Sequence, residues 1–111
     1  IKLTGSNSLN KSLIINEIIL YNYGLKLDNK RIIINLYQSI NDVGVFEQSC
    51  NDGNIDTKCS ISGTPPMILI DTNGLYFDKI IIHSSDNSIY STLIEVFPDS
   101  VLPAFWSYQI K

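Results

Sequence analysis

Two cysteines, one histidine and a scatter of serines and acidic residues are the groups in this chain that could do chemistry. Cys50 and Cys59 bracket the polar segment Asn-Asp-Gly-Asn-Ile-Asp-Thr-Lys. A bond between them would close a short loop and stabilise the fold by roughly 2.7 kcal/mol through lost entropy of the unfolded chain. The alternatives are two unrelated thiols or a catalytic pair. The turn-prone residues between them lead us to expect a bond in the absence of reductant, and such a bond would favour a secreted or lumenal compartment. One His and two Cys cannot supply a four-ligand zinc site, so neither metal nor other cofactor is expected.

The remaining candidates each have a plainer reading. His83 ends an apolar run with no base or nucleophile tied to it in sequence, which reads as a capped or exposed imidazole rather than a general base. Asp52, Asn54 and Asp56 have the spacing of part of a calcium loop but lack its twelfth-position Glu, so an ordinary polar turn accounts for them. Ser6 and Ser8 could be nucleophiles, yet helix capping needs only their side-chain oxygens. Phe105, Trp106 and Tyr108 suit core packing or an aromatic contact surface. Asn10-Lys11-Ser12 fits a glycosylation sequon, a triplet that chance supplies in an Asn-rich chain.

Composition narrows the setting. At 111 residues, 44% apolar and 17% charged, the chain has the profile of one soluble globular domain spanning residues 1–111, long enough to bury a core. Eight basic residues stand against eleven acidic ones, scattered singly. That pattern offers no footprint for nucleic acid or an anionic membrane surface. Apolar runs such as Met67-Ile68-Leu69-Ile70 are far too short for a transmembrane span.

These residues must be positioned by elements that the periodicity suggests. Ile1-Lys2-Leu3 reads as a short strand stopped by Thr4-Gly5. From Leu9 to Tyr23 the apolar residues recur at three and four, with Gly24 placed for a left-handed cap, which predicts a helix although the composition is also that of strand. Arg31 to Tyr37 reads as an interior strand buried on both faces. Residues 38–60 are irregular, with one turn of helix near Val45-Phe46-Glu47. Gly63-Thr64-Pro65-Pro66 punctuates the chain before a strand at Met67 to Asp71, and Asn73-Gly74 signals a hairpin whose return strand is Leu75 to His83. Ser84, Ser85 and Asp86 could cap a helix from about Asn87 to Phe97, and the tail from Val101 to Lys111 looks like a final strand.

In this order, Ile61-Ser62-Gly63-Thr64-Pro65 followed by Met67-Ile68-Leu69-Ile70-Asp71 and Asn73-Gly74 resembles the cis-proline region of the thioredoxin-like superfamily. The resemblance covers residues 1 to about 97 in element order and implies an α/β fold: strand-helix-strand, a cis Thr64-Pro65 bond, a β-hairpin and a C-terminal helix, with an extra C-terminal strand or tail. It also implies a binding groove at Thr64 and Pro65, with Ser6 and Ser8 standing where the family carries its dithiol. The chain departs from the family in having no cysteine there, and in the second proline, Pro66.

The leading expectation is therefore a redox-inactive thioredoxin-like domain that binds a protein partner. One alternative is a thiol-disulfide oxidoreductase working through Cys50 and Cys59. Another is a mostly β, disulfide-closed extracellular or viral surface module, in which Leu9 to Leu27 would be strand.

Overall fold

Every long apolar run of the described chain is built into a sheet. The computed structural model describes residues 1–5, 12–39, 41–86, 89, 92–96 and 107–111. Among them lie eleven strands, a 3-10 turn at Asn29–Arg31, a further 3-10 residue at Ile89 and no α-helix. The strands are β1 (Lys2–Thr4), β2 (Ser12–Ile15), β3 (Glu17–Asn22), β4 (Leu25–Lys26), β5 (Ile33–Tyr37) and β6 (Val45–Phe46). They continue as β7 (Cys59–Ser62), β8 (Met67–Asp71), β9 (Lys79–His83), β10 (Leu93–Glu95) and β11 (Ser107–Ile110). An antiparallel sheet has the order β10-β1-β8-β5-β6, a mixed one the order β11-β9-β3-β4, and β2 pairs with β7 as a separate ribbon.

Alternation along these strands makes the core. Ile68 of β8 stands opposite Leu3 on one side and Leu36 on the other. In the mixed sheet, Ile18 faces Ile82 and Leu20 faces Ile80 across the β3–β9 ladder. These side chains, with Leu13 and Ile15 of β2, Ile34, Ile70, Phe77 and both cysteines, form one buried cluster. Burying each such aliphatic side chain is worth about 1.5–3 kcal/mol, which is how inward faces from separate sheets come to be held together.

The expected α/β thioredoxin-like architecture is corrected by this arrangement, and the mostly β alternative is the one the structure shows. Where a helix was expected over residues 9–23, Ser12–Ile15 and Glu17–Asn22 are strands; residues 9–11 lie outside the described residues. The reason is physical: nearly every position from Leu13 to Tyr21 is apolar, so period 3.6 and period 2 both fit. The buried residues Leu13, Ile15 and Glu17, then Ile18 and Leu20, follow period 2, with one phase break between Glu17 and Ile18. Isoleucine is stiff at χ1 and packs well on a pleated surface, and long-range pairing gives it that surface. Gly24 does take a left-handed φ of 83°, but with Tyr23 at 48° it makes the two-residue hairpin turn between β3 and β4 rather than a helix cap.

Other local readings change in the same direction. In the expected second helix, Leu93–Glu95 is strand β10, while 87, 88, 90, 91 and 97 lie outside the described residues. Val45-Phe46 forms a short edge strand, not a helical turn. β5 buries Ile34 and Leu36 but leaves Ile33, Asn35 and Tyr37 half-buried, so one face rather than both is in the core. Asn73-Gly74 turns with φ of 58° and 77°, yet β8 and β9 belong to different sheets: the chain crosses from one to the other instead of forming a hairpin. The strands expected at the N-terminus and at Met67 to Asp71 are present, as are a cis Thr64–Pro65 bond and, at Ser107–Ile110, the described part of the last strand.

Candidate functional site

The site is built around the loop that the two cysteines close. Cys50 and Cys59 are bonded, with Cα atoms 5.1 Å apart. Cys59 opens β7 and stands opposite Ile15 of β2, while Cys50 lies against β3, whose Ile18 N–H donates to the Cys50 carbonyl at 2.7 Å. On the edge away from β9, β3 has no strand beside Ile18, because β4 reaches only Tyr21 and Asn22. The Asn51 side chain completes the edge by donating from Nδ2 to the Ile18 carbonyl at 2.7 Å. A side-chain amide thus serves as the missing strand, satisfying a buried carbonyl that would otherwise cost on the order of 1–3 kcal/mol.

Glu17 pins the same loop from below. It is 2% exposed, and its Oε2 accepts the Gly53 N–H at 2.9 Å, whereas Oε1 and the Oδ1 of Asn51 have no hydrogen-bond partner. Burial pushes the Glu17 carboxyl above its ordinary range, the nearby Asp52 carboxylate adds to that, and the Gly53 and Asp52 N–H groups and Lys26 oppose it. The native state therefore binds this proton more tightly than the unfolded chain. Stability linked to Glu17 is fully present below the ordinary glutamate value of about 4.3 and is lost as pH rises through it toward the raised value. Glu17→Gln should remove that loss: in urea denaturation across this window, the wild-type midpoint falls relative to the variant's as pH rises. A constant difference between them would refute the assignment.

Asp52, Asn54 and Asp56 form the polar turn that the sequence suggested. Asp52 Oδ1 accepts from Asn54 N–H, Asn54 Oδ1 accepts from Asp56 N–H, each at 2.9 Å, and the Thr57 hydroxyl donates to Asp52 Oδ2. The Thr57 hydroxyl and the Asn54 N–H hold the Asp52 carboxyl below its usual range. Among the described residues, no three His, Cys, Asp or Glu side chains converge as metal ligands.

Beside this loop lies an open groove of about 700 Å³. The 26–30 segment, Phe46 of β6, Gln48, Asn51 and Asp52 line it. Parts of this lining are locally braced. Asp28 caps the 3-10 turn by accepting the Lys30 N–H at 2.9 Å. Gln48 bridges the edge of β5, accepting from Ile34 N–H at 2.8 Å and donating to the Ile32 carbonyl at 2.9 Å. Phe46 is 63% exposed, an apolar ring beside lysines and amides.

The residues singled out from sequence fall elsewhere. Thr64 is exposed and Pro65 half-buried, with the Thr64 N–H donating to the Gln38 carbonyl at 2.8 Å, and neither lines this groove. Ser6, Ser8, Phe105 and Trp106 lie outside the described residues, as do Asn10 and Lys11 of the sequon; Tyr108 is exposed. His83 stands opposite Glu17 in register, and the Glu17 Oε1 has no hydrogen-bond partner, so that oxygen does not engage the imidazole. Glu17 left a signal in the sequence, a carboxylate set inside an apolar run. Asn51, Lys26, Lys30 and Phe46 left none, because only the fold brings them together. No family model, curated protein or solved structure matches this chain.

Proposed function

We propose that the protein is a non-catalytic recognition module of mostly β architecture that binds a protein partner through the groove beside its disulfide loop. The observation that carries this reading is the exposed Phe46 ring in the lining of this groove, which exposed Lys26 and Lys30 also line. Aromatic side chains are enriched in protein-binding interfaces, and the two lysines would favour an acidic partner. Bracing by Asp28, Gln48 and Asn51 limits the ordering cost of binding.

The oxidoreductase reading is disfavoured by burial: Cys50 is 0% and Cys59 1% exposed. A thiolate needs an in-line approach to a sulfur, and here the bond sits inside the core cluster. A structural disulfide favours an oxidising compartment, which supports an extracellular or surface-borne module.

The test is selection from a displayed random-peptide library on the disulfide-intact protein, followed by titration of the selected peptides. Phe46→Ala should weaken them by roughly tenfold or more, and Lys30→Glu should weaken the acidic ones, with thermal stability unchanged. Peptides that bind both variants as tightly as wild type would place recognition elsewhere and overturn the proposal.

A further inference from the structure

The chain contains one Asn-Gly pair, Asn73-Gly74, and one Asp-Gly pair, Asp52-Gly53. Both are exposed and both glycines have a left-handed φ, of 77° and 82°. Their surroundings differ in the features that govern intramolecular attack by a backbone nitrogen on the preceding side chain.

At Asn73-Gly74 the reacting groups are unhindered. Among the described residues, the Asn73 carboxamide and the Gly74 N–H have no hydrogen-bond partner, and no atom approaches within 4 Å of where a Cβ on Gly74 would sit. The turn is held by the Leu75 N–H to Thr72 carbonyl bond at 3.0 Å and by Asn73 N–H to Asp71 Oδ1 at 2.8 Å, neither of which engages the carboxamide. No ladder locks the turn, since β8 and β9 do not pair.

At Asp52-Gly53 the same groups are occupied. The Gly53 N–H donates to the buried Glu17, and both Asp52 oxygens accept hydrogen bonds, so attack would have to break these bonds. Isomerisation also proceeds from the neutral acid, and these bonds stabilise the carboxylate. The disulfide holds this loop closed.

We propose that Asn73 is a site of spontaneous deamidation, and that the fold protects Asp52 from the corresponding isomerisation. The Gly74 nitrogen gives up its proton and bonds to Asn73 Cγ; the bond from Cγ to the side-chain nitrogen breaks and ammonia leaves, closing a succinimide. Water then opens the ring at one of its two carbonyls, yielding aspartate or isoaspartate, with no oxidation or reduction. Either product adds a negative charge two residues from Asp71. Isoaspartate also lengthens the backbone in the segment that crosses between the two large sheets, so conversion loosens that crossing.

The experiment incubates the full, disulfide-intact chain at physiological temperature and mildly alkaline pH, then reduces it and cleaves after Lys and Arg. Asn73 is the sole asparagine in the resulting peptide from Cys59 to Lys79. That peptide should gain one mass unit and split into two chromatographic species, one accepting methyl groups from an isoaspartyl methyltransferase. The 32–58 peptide carrying Asp52 should form isoaspartate at least about tenfold more slowly in the native protein than in the same chain incubated reduced and unfolded. Asn73→Gln should abolish the early product. Asn73 stable in the native protein but converting in the unfolded one, or Asp52 isomerising as fast in the native protein as in the unfolded one, would overturn the proposal.

Discussion

Gly63→Ala lowers the stability of the protein by about 3 kcal/mol, at the upper end of what overpacking usually costs. A Cβ at Gly63 would lie 2.1 Å from the Gln38 carbonyl oxygen and 2.7 Å from its carbon. Both are backbone atoms, so no side chain can rotate away. Relief requires the segment after β5 to separate from the segment after β7, which breaks the Thr64 N–H to Gln38 carbonyl bond. For a domain of this size the loss corresponds to a melting temperature lower by roughly 10 °C. Gly24→Ala is the matched control, because nothing lies within 4 Å of its Cβ position and only the left-handed φ opposes it. Urea denaturation of the two variants checks this: equal, small losses would show that the approach at Gly63 relaxes freely.

The second large effect is that of the disulfide. Replacing Cys50 and Cys59 together by Ser costs about 2.7 kcal/mol from loop entropy alone, and more if the released loop leaves β3. The Ile18 edge would then lose the Cys50 carbonyl and the Asn51 amide, while Glu17 would lose the Gly53 N–H. We expect the urea midpoint of the wild type in strong reductant to drop to that of the double variant, and selected peptides to bind both forms more weakly, since Asn51 and Asp52 line the groove. Unchanged midpoints would mean that the loop is held by its hydrogen bonds without the covalent bond.

The two experiments bear on different links of the same argument. Gly63 concerns how closely two backbone segments must approach for the sheets to form. The disulfide concerns how a loop that contributes little apolar surface of its own is kept against a sheet edge. Only the second is coupled to the groove, so a binding loss in Gly63→Ala beyond its stability loss would place recognition on the Thr64–Pro65 side instead.

Where the residue types leave one physical option, sequence alone determined the outcome. The apolar run from Met67 to Asp71 is a strand and Asn73-Gly74 is a left-handed turn, whereas the Cys50–Cys59 bond was one of the options the sequence left open. The strand and the turn each depend on neighbours in the chain. Tertiary structure decided the rest. Residues 12–22 satisfy both helical and strand periods, and β3 is a strand because β9 lies beside it in register with Ile18 on Ile82 and Leu20 on Ile80. The Asn73-Gly74 turn leads across to the other sheet because the core takes inward faces from both β8 and β9. The groove follows from the same cause: its lining comes from 26–30, 46–48 and 51–52, segments whose proximity is set by the pairing of distant strands, by Glu17 of β3 accepting from the loop and by Asn51 of the loop donating to β3. Local preferences are worth tenths of a kcal/mol per residue, whereas each buried isoleucine is worth more than one, so burial across distant segments settles what local pattern leaves open.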